Sequence, residues 1–221
     1  MELALLVLAL AAAAADWAAV AKGWKRTEYF AKPAVMVFLF VWLYAGTRLQ
    51  GGLLWFGLGI LFSLAGDALL MAQERFFLAG LIAFLLAHIA YIIGFSYNAA
   101  PPGFWDIALG FILVLGAVRI LGRLVSALKS KGTPQLILPV RIYGLIISLM
   151  LFMAMRTLAQ PTWEAGASIL VSAGAFLFYV SDLILAWNKF VSPVKNGRLL
   201  NITAYHLGQI ALIVGAAMQF G

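Results

Sequence analysis

Apolar residues come in eight long runs, separated by short polar gaps. A helix needs about 20 predominantly apolar residues to cross the hydrocarbon core of a bilayer, with a range of about 17–25. The runs at 1–21, 30–46, 52–72, 76–96, 104–121, 136–157, 163–187 and 199–220 meet that length. The pattern predicts an all-α polytopic membrane protein with eight transmembrane helices in a single transmembrane domain, residues 1–221. Proline agrees with the spacing. Pro33, Pro101, Pro102, Pro134, Pro161 and Pro193 fall in gaps or first turns, where a missing N–H costs little, and Pro139 lies early in the sixth run. Trp24, Trp55, Trp105, Trp163 and Trp187 lie near run ends, as interfacial anchors do. The opening Met1-Glu2-Leu3-Ala4 lacks the basic segment of a signal peptide, so the first run is read as a retained span.

Charge gives the runs a direction. Lys22, Lys25, Arg26, Lys32, Arg75, Arg119, Arg123, Lys129, Lys131, Lys189, Lys195 and Arg198 all belong to one set of alternate gaps. The opposite set holds only Arg48 and Arg156, and Arg141 lies within the sixth run. The positive-inside rule then puts the basic gaps in the cytoplasm and both termini outside, in what is read as a bacterial inner membrane.

Composition narrows the chemistry. The chain is 65% hydrophobic and 10% charged, with a mean hydropathy of +1.03, where a soluble domain carries about 25% charged residues. The net charge of +7 reads as topology, since the cations sit in the gaps, and nucleic acid is not expected as a partner. Membrane lipids are. With no cysteine and only His88 and His206, neither a metal site nor a cofactor is expected. The Gly110 and Gly116 pair permits close helix contact but leaves the oligomeric state open.

Two aspartates interrupt the runs. Asp67 stands in Leu64-Ala65-Gly66-Asp67-Ala68-Leu69-Leu70, and Asp182 in Tyr179-Val180-Ser181-Asp182-Leu183-Ile184-Leu185. A carboxylate at mid-membrane costs about 2.5–3.5 kcal/mol on insertion scales, so such residues mark function more often than packing. Each lies late in the third run of four, and a histidine follows in the fourth run. The chain therefore reads as parallel half-repeats, 1–103 and 104–221. Both aspartate runs head inward, which puts the two carboxyl groups at one depth in the cytoplasmic leaflet and predicts one shared site.

Around them the sequence offers a polar set. Ser63 precedes Asp67 by one turn, and Tyr179 does the same for Asp182. The fourth run adds His88 and Tyr91, and the eighth adds Asn201, Tyr205, His206 and Gln209. Arg141 and Tyr143 lie at the inner end of the sixth, and Lys32 at the mouth of the second. Together these describe a polar cavity with a cationic rim, open to the cytoplasmic leaflet. The bland alternatives are interhelical hydrogen bonding for the histidines and tyrosines, snorkelling for Arg141 and a topology charge for Lys32. Asp16 is read as paired with a cation, Asp106 as a helix-start residue and Glu74 as solvated. Two carboxyl groups in a partly dry cavity separate into an acid and a base. Such a pair suits hydrolysis, peptide cleavage or the binding of a transported proton.

Several phrases carry a resemblance. Gly66-Asp67, Phe77-Leu78-Ala79-Gly80-Leu81 and Phe84-Leu85-Leu86-Ala87-His88-Ile89-Ala90-Tyr91 are similar to the YhhN-like lysoplasmalogenase family of integral membrane proteins. So are Lys32-Pro33, Ser181-Asp182 and Tyr205-His206-Leu207-Gly208-Gln209. The likeness runs from the second span to the eighth; Arg141 is argued from its charge and position and not from the likeness. It implies hydrolysis of the vinyl-ether bond of a lysophospholipid, the lysoplasmalogen, to a fatty aldehyde and glycerophosphoethanolamine or glycerophosphocholine. An acid would protonate the alkene carbon beta to oxygen, and a base would activate the water that traps the oxocarbenium ion, as two carboxyl groups do in glycoside hydrolysis. Asp182 is taken as the acid and Asp67 as the base, an order the residues themselves do not set. The rival reading is a proton-coupled lipid or small-molecule transporter, which predicts helices broken beside the aspartates. An intramembrane aspartyl protease fits less well, because Leu64 stands where its usual signature has glycine.

Overall fold

In lipid every backbone N–H and C=O must be satisfied within its own segment, so long apolar runs become helices. The computed structural model describes residues 2–221 and is 87% helical, with no strand among them. Met1, the first residue of the predicted first span, lies outside the described residues. The helices are α1 (Glu2–Lys22), α2 (Lys25–Thr47), α3 (Leu53–Ala72), α4 (Phe77–Ser96), α5 (Phe104–Ser130), α6 (Ile137–Met155), α7 (Ala165–Ala186) and α8 (Gly197–Phe220). All eight are long and apolar enough to cross a membrane. The protein is an integral membrane protein.

Two boundaries differ from the hydrophobic pattern. α2 begins at Lys25, so the polar stretch Lys25-Arg26-Thr27-Glu28 is helix and not a gap. Pro33 therefore sits inside α2, not in a first turn, and removes the hydrogen bond to the Tyr29 carbonyl. α5 continues to Ser130, which puts Arg119, Arg123 and Lys129 on a helix that outruns its apolar segment. In both cases a charged stripe prolongs the helix beyond the hydrocarbon. α7 ends in a π-helical turn, Trp187–Val191.

The hairpins α1–α2, α3–α4 and α7–α8 pack most closely. In the last, Gly174 and Gly208 bring backbones into contact. A Cβ on Gly174 would lie 2.5 Å from the Leu212 nitrogen and 2.7 Å from the Gly208 oxygen. Gly110 and Gly116 make no such approach, because nothing lies within 4 Å of a Cβ on Gly116. α5 is the least embedded helix, with only Ala117, Leu124, Val125 and Leu128 buried. Aromatic packing closes one end of the bundle. Phe56 stands edge-on to Phe95, and Trp163 to Phe220. Trp163 is thus a buried residue and not a lipid-facing anchor. The polar groups gather at the opposite end, where α3 and α7 finish and α2 and α8 begin.

Candidate active site

The polar ends of α2, α3, α7 and α8 line a cavity of about 480 Å³ whose wall includes both Asp67 and Asp182. α3 and α7 run as unbroken α-helix through the two aspartates, without the interruptions a transport site made of half-helices would have.

Asp67 is 1% exposed and meets a cation. Lys32 of α2 puts its Nζ 2.8 Å from Asp67 Oδ1, and the Tyr205 hydroxyl donates to Oδ2 at 2.7 Å. The same ammonium stands 5.9 Å from the Tyr205 ring centre. Lys25, Glu28 and Lys32 share one helical stripe of α2, and all three line the cavity. Glu28 pairs with Arg198 of α8, while Lys25 makes no ion pair among the described residues.

Asp182 is 12% exposed, and its partners are a phenol and an imidazole. The Tyr143 hydroxyl donates to its Oδ2. His88 Nε2 lies 3.0 Å from the Tyr143 oxygen and 3.4 Å from Asp182 Oδ2. An imidazole, a phenol and a carboxyl group from α4, α6 and α7 thus share one corner. Beside it, Asn201 donates to the Ser181 carbonyl and hydroxyl, both at 2.8 Å, which ties α8 to α7 at the cavity wall.

The remaining polar residues named from the sequence go elsewhere. The Tyr91 hydroxyl donates to Gln209 Oε1 at 2.7 Å, and Gln209 Nε2 donates to the Ser63 hydroxyl at 2.8 Å. Ser63 therefore serves this buried link between α3, α4 and α8 and not Asp67. His206 is fully buried against Trp17 and Tyr205, with neither ring nitrogen hydrogen-bonded, and it is absent from the cavity lining. Asp16 is also fully buried and lacks the paired cation expected for it. Arg141 is exposed on α6 and lines neither this cavity nor the groove beside it: Tyr143, two residues on, turns inward where Arg141 turns out. Glu74 is exposed yet paired with Lys189 at 3.1 Å. Asp106 accepts from the Gly103 N–H at the start of α5, as a helix-start residue does, and also pairs with Arg156.

Glu28, Lys25 and Arg198 line the cavity and were left out of the site by the sequence pattern, the two cations being read as topology charges. Tyr143, named in the polar set, does reach Asp182. Glu28 had a signal in its i+4 relation to Lys32.

A second space adjoins the first. It is an apolar groove between α4, α5, α6 and α7, and Asp182, Leu70, Phe84 and Leu185 line both spaces.

The YhhN family model matches residues 27–216. Lysoplasmalogenase TMEM86B of Rattus norvegicus is 30% identical over 199 residues, covering 90% of this chain and 76% of its own length. The protein of that name from Sus scrofa is 33% identical over 172 residues, 78% of this chain and 64% of its own. The Homo sapiens one is 30% identical over 154 residues, 70% and 59%. The chain thus spans about three-fifths of the length of the human and pig relatives. No solved structure matches it.

Proposed function

The chain belongs to the YhhN family, and from that premise we propose that it hydrolyses the vinyl-ether bond of a single-chain phospholipid, a lysoplasmalogen, through Asp67 and Asp182. The products are a fatty aldehyde and a glycerophospho compound. The relatives, lysoplasmalogenases by name, support the activity. The observation that carries the mechanism is the unequal setting of two aspartates on one cavity wall.

Lys32 holds Asp67 in an ion pair, which suits a carboxylate that orients and deprotonates water. Among the described residues Asp182 has no lysine or arginine partner. It faces a phenol and an imidazole, groups that can exchange a proton with it. That is the setting of a group that gives a proton to carbon and later takes one back. The cations around the mouth, Lys25, Lys32 and Arg198, suit the phosphate of the head group. By the positive-inside rule this mouth opens to the cytoplasmic leaflet.

The test is aldehyde release from lysoplasmenylethanolamine by the purified protein in detergent. Wild type releases aldehyde, and Asp67→Asn and Asp182→Asn each lower kcat by about 10²–10⁴-fold, the usual share of an acid or base. An inactive wild type, or full activity in both variants, refutes the reading.

A further inference from the structure

We propose that the apolar groove between α4, α5, α6 and α7 receives the alkenyl chain of the substrate. This orients the vinyl ether with its chain-side carbon at Asp182 and its glycerol side toward Asp67. The inference rests on the function proposed above and adds the site and direction of substrate binding.

Three features of the groove carry it. Its wall is mostly hydrocarbon, with Leu81 and Phe84 from α4, Ile120, Leu121 and Leu124 from α5, and Ile147 from α6. Its polar side chains are Tyr143, Ser148, Tyr179, Asp182 and Lys189. Lys189 is engaged at the rim, 4.3 Å from the Phe77 ring centre and 3.1 Å from Glu74 Oε1. The groove meets the charged cavity along a shared border that includes Asp182. A single-chain phospholipid has the same order: hydrocarbon, then the vinyl ether, then glycerol and phosphate. The opposite placement would take the phosphate into a mostly apolar lining whose one cation, Lys189, is already paired with Glu74, a costly desolvation. Free volume within the groove is about 70 Å³. That admits the start of a chain, and the remainder runs out along α5 into the lipid.

The orientation assigns each proton. The Asp182 carboxyl gives its proton to the chain-side alkene carbon; the π pair forms the C–H bond, and positive charge develops on the carbon bonded to oxygen. Water adds to that carbon and its released proton goes to Asp67. The bond from the resulting hemiacetal carbon to the glycerol oxygen then breaks. Asp67 returns its proton to that oxygen as Asp182 takes the hemiacetal hydroxyl proton. One water is consumed and both groups recover their starting states.

The test compares a hexadecenyl with a propenyl ether of glycerophosphoethanolamine in mixed micelles. Leu121→Trp fills the groove and lowers kcat/KM for the hexadecenyl ether by about tenfold or more, while the propenyl ether changes less than about twofold. Leu121→Ala reduces the hexadecenyl preference without added bulk. Leu115→Trp, on the lipid face of the same helix, leaves both rates unchanged. A second arm needs no catalysis. A saturated 1-O-alkyl lysophosphoethanolamine with a diazirine near the start of its chain labels Ile120, Leu121 or Ile147, and Leu121→Trp removes the label. Labelling there without aldehyde release upholds the groove and refutes the proposed activity. Aldehyde release with labelling elsewhere, or with both ethers equally slowed by Leu121→Trp, overturns the groove.

Discussion

Asp67 and Asp182 look alike in the sequence and differ in the fold because their partners come from other helices. A partner on a neighbouring span leaves no periodic trace, so Lys32 with Asp67, and Tyr143 with Asp182, emerge only from packing. The difference is measurable. Lys32→Met leaves Asp67 without its ammonium and lowers kcat by about 10²-fold, in line with losing one preorganised charge partner. Tyr143→Phe keeps the ring and removes one donor to Asp182. It lowers kcat by about tenfold with KM unchanged, which a packing defect would not do. Outside the membrane, the exposed Glu164 carboxylate accepts from the Gly166 and Ala167 N–H groups at the start of α7, and these bonds hold it below its ordinary value of 4.5. Folding therefore gains from Glu164 above that value and loses the gain as pH falls through the lowered one. A melting series from neutral to acid pH checks this, and Glu164→Ala removes the acid-side slope that wild type shows.

At the scale of elements, helix existence was legible and helix ends were not. Apolar length marks the hydrocarbon crossing, and all eight crossings follow from it. It says nothing of where the backbone stops being helical in the interface, so α2 and α5 outrun the pattern. For α2 that difference hid a stripe that lines the cavity, because Glu28 falls in the gap before the 30–46 run and so loses its relation to Lys32. The glycines were legible as small residues but not as contacts. Gly174 and Gly208 touch backbone, while Gly110 meets only Phe152, at 3.6 Å. Gly174→Val thus costs at least about 1–3 kcal/mol of stability by overpacking. A fall in detergent melting temperature reports it, with Gly110→Ala near wild type.

Over the whole molecule, the charge asymmetry makes a claim about sidedness. The chain has no cysteine, so each introduced thiol is the sole one. In intact cells Asn98→Cys reacts with a membrane-impermeant maleimide, and Lys195→Cys reacts only after permeabilisation. The opposite pattern reverses the assigned orientation. The position of the polar end was readable from sequence depth alone. Its division into a charged cavity and an apolar groove was not, because that depends on how α5 leans against α6 and the turn after α7.

The border that Asp182 shares between those spaces has a consequence after the bond breaks. The proposed cleavage there would split an amphiphile into pieces of opposite solubility, each already facing the phase it prefers. The aldehyde departs sideways into lipid and the glycerophospho compound into water. Neither must pass the other, and dilution into separate phases keeps them from recombining.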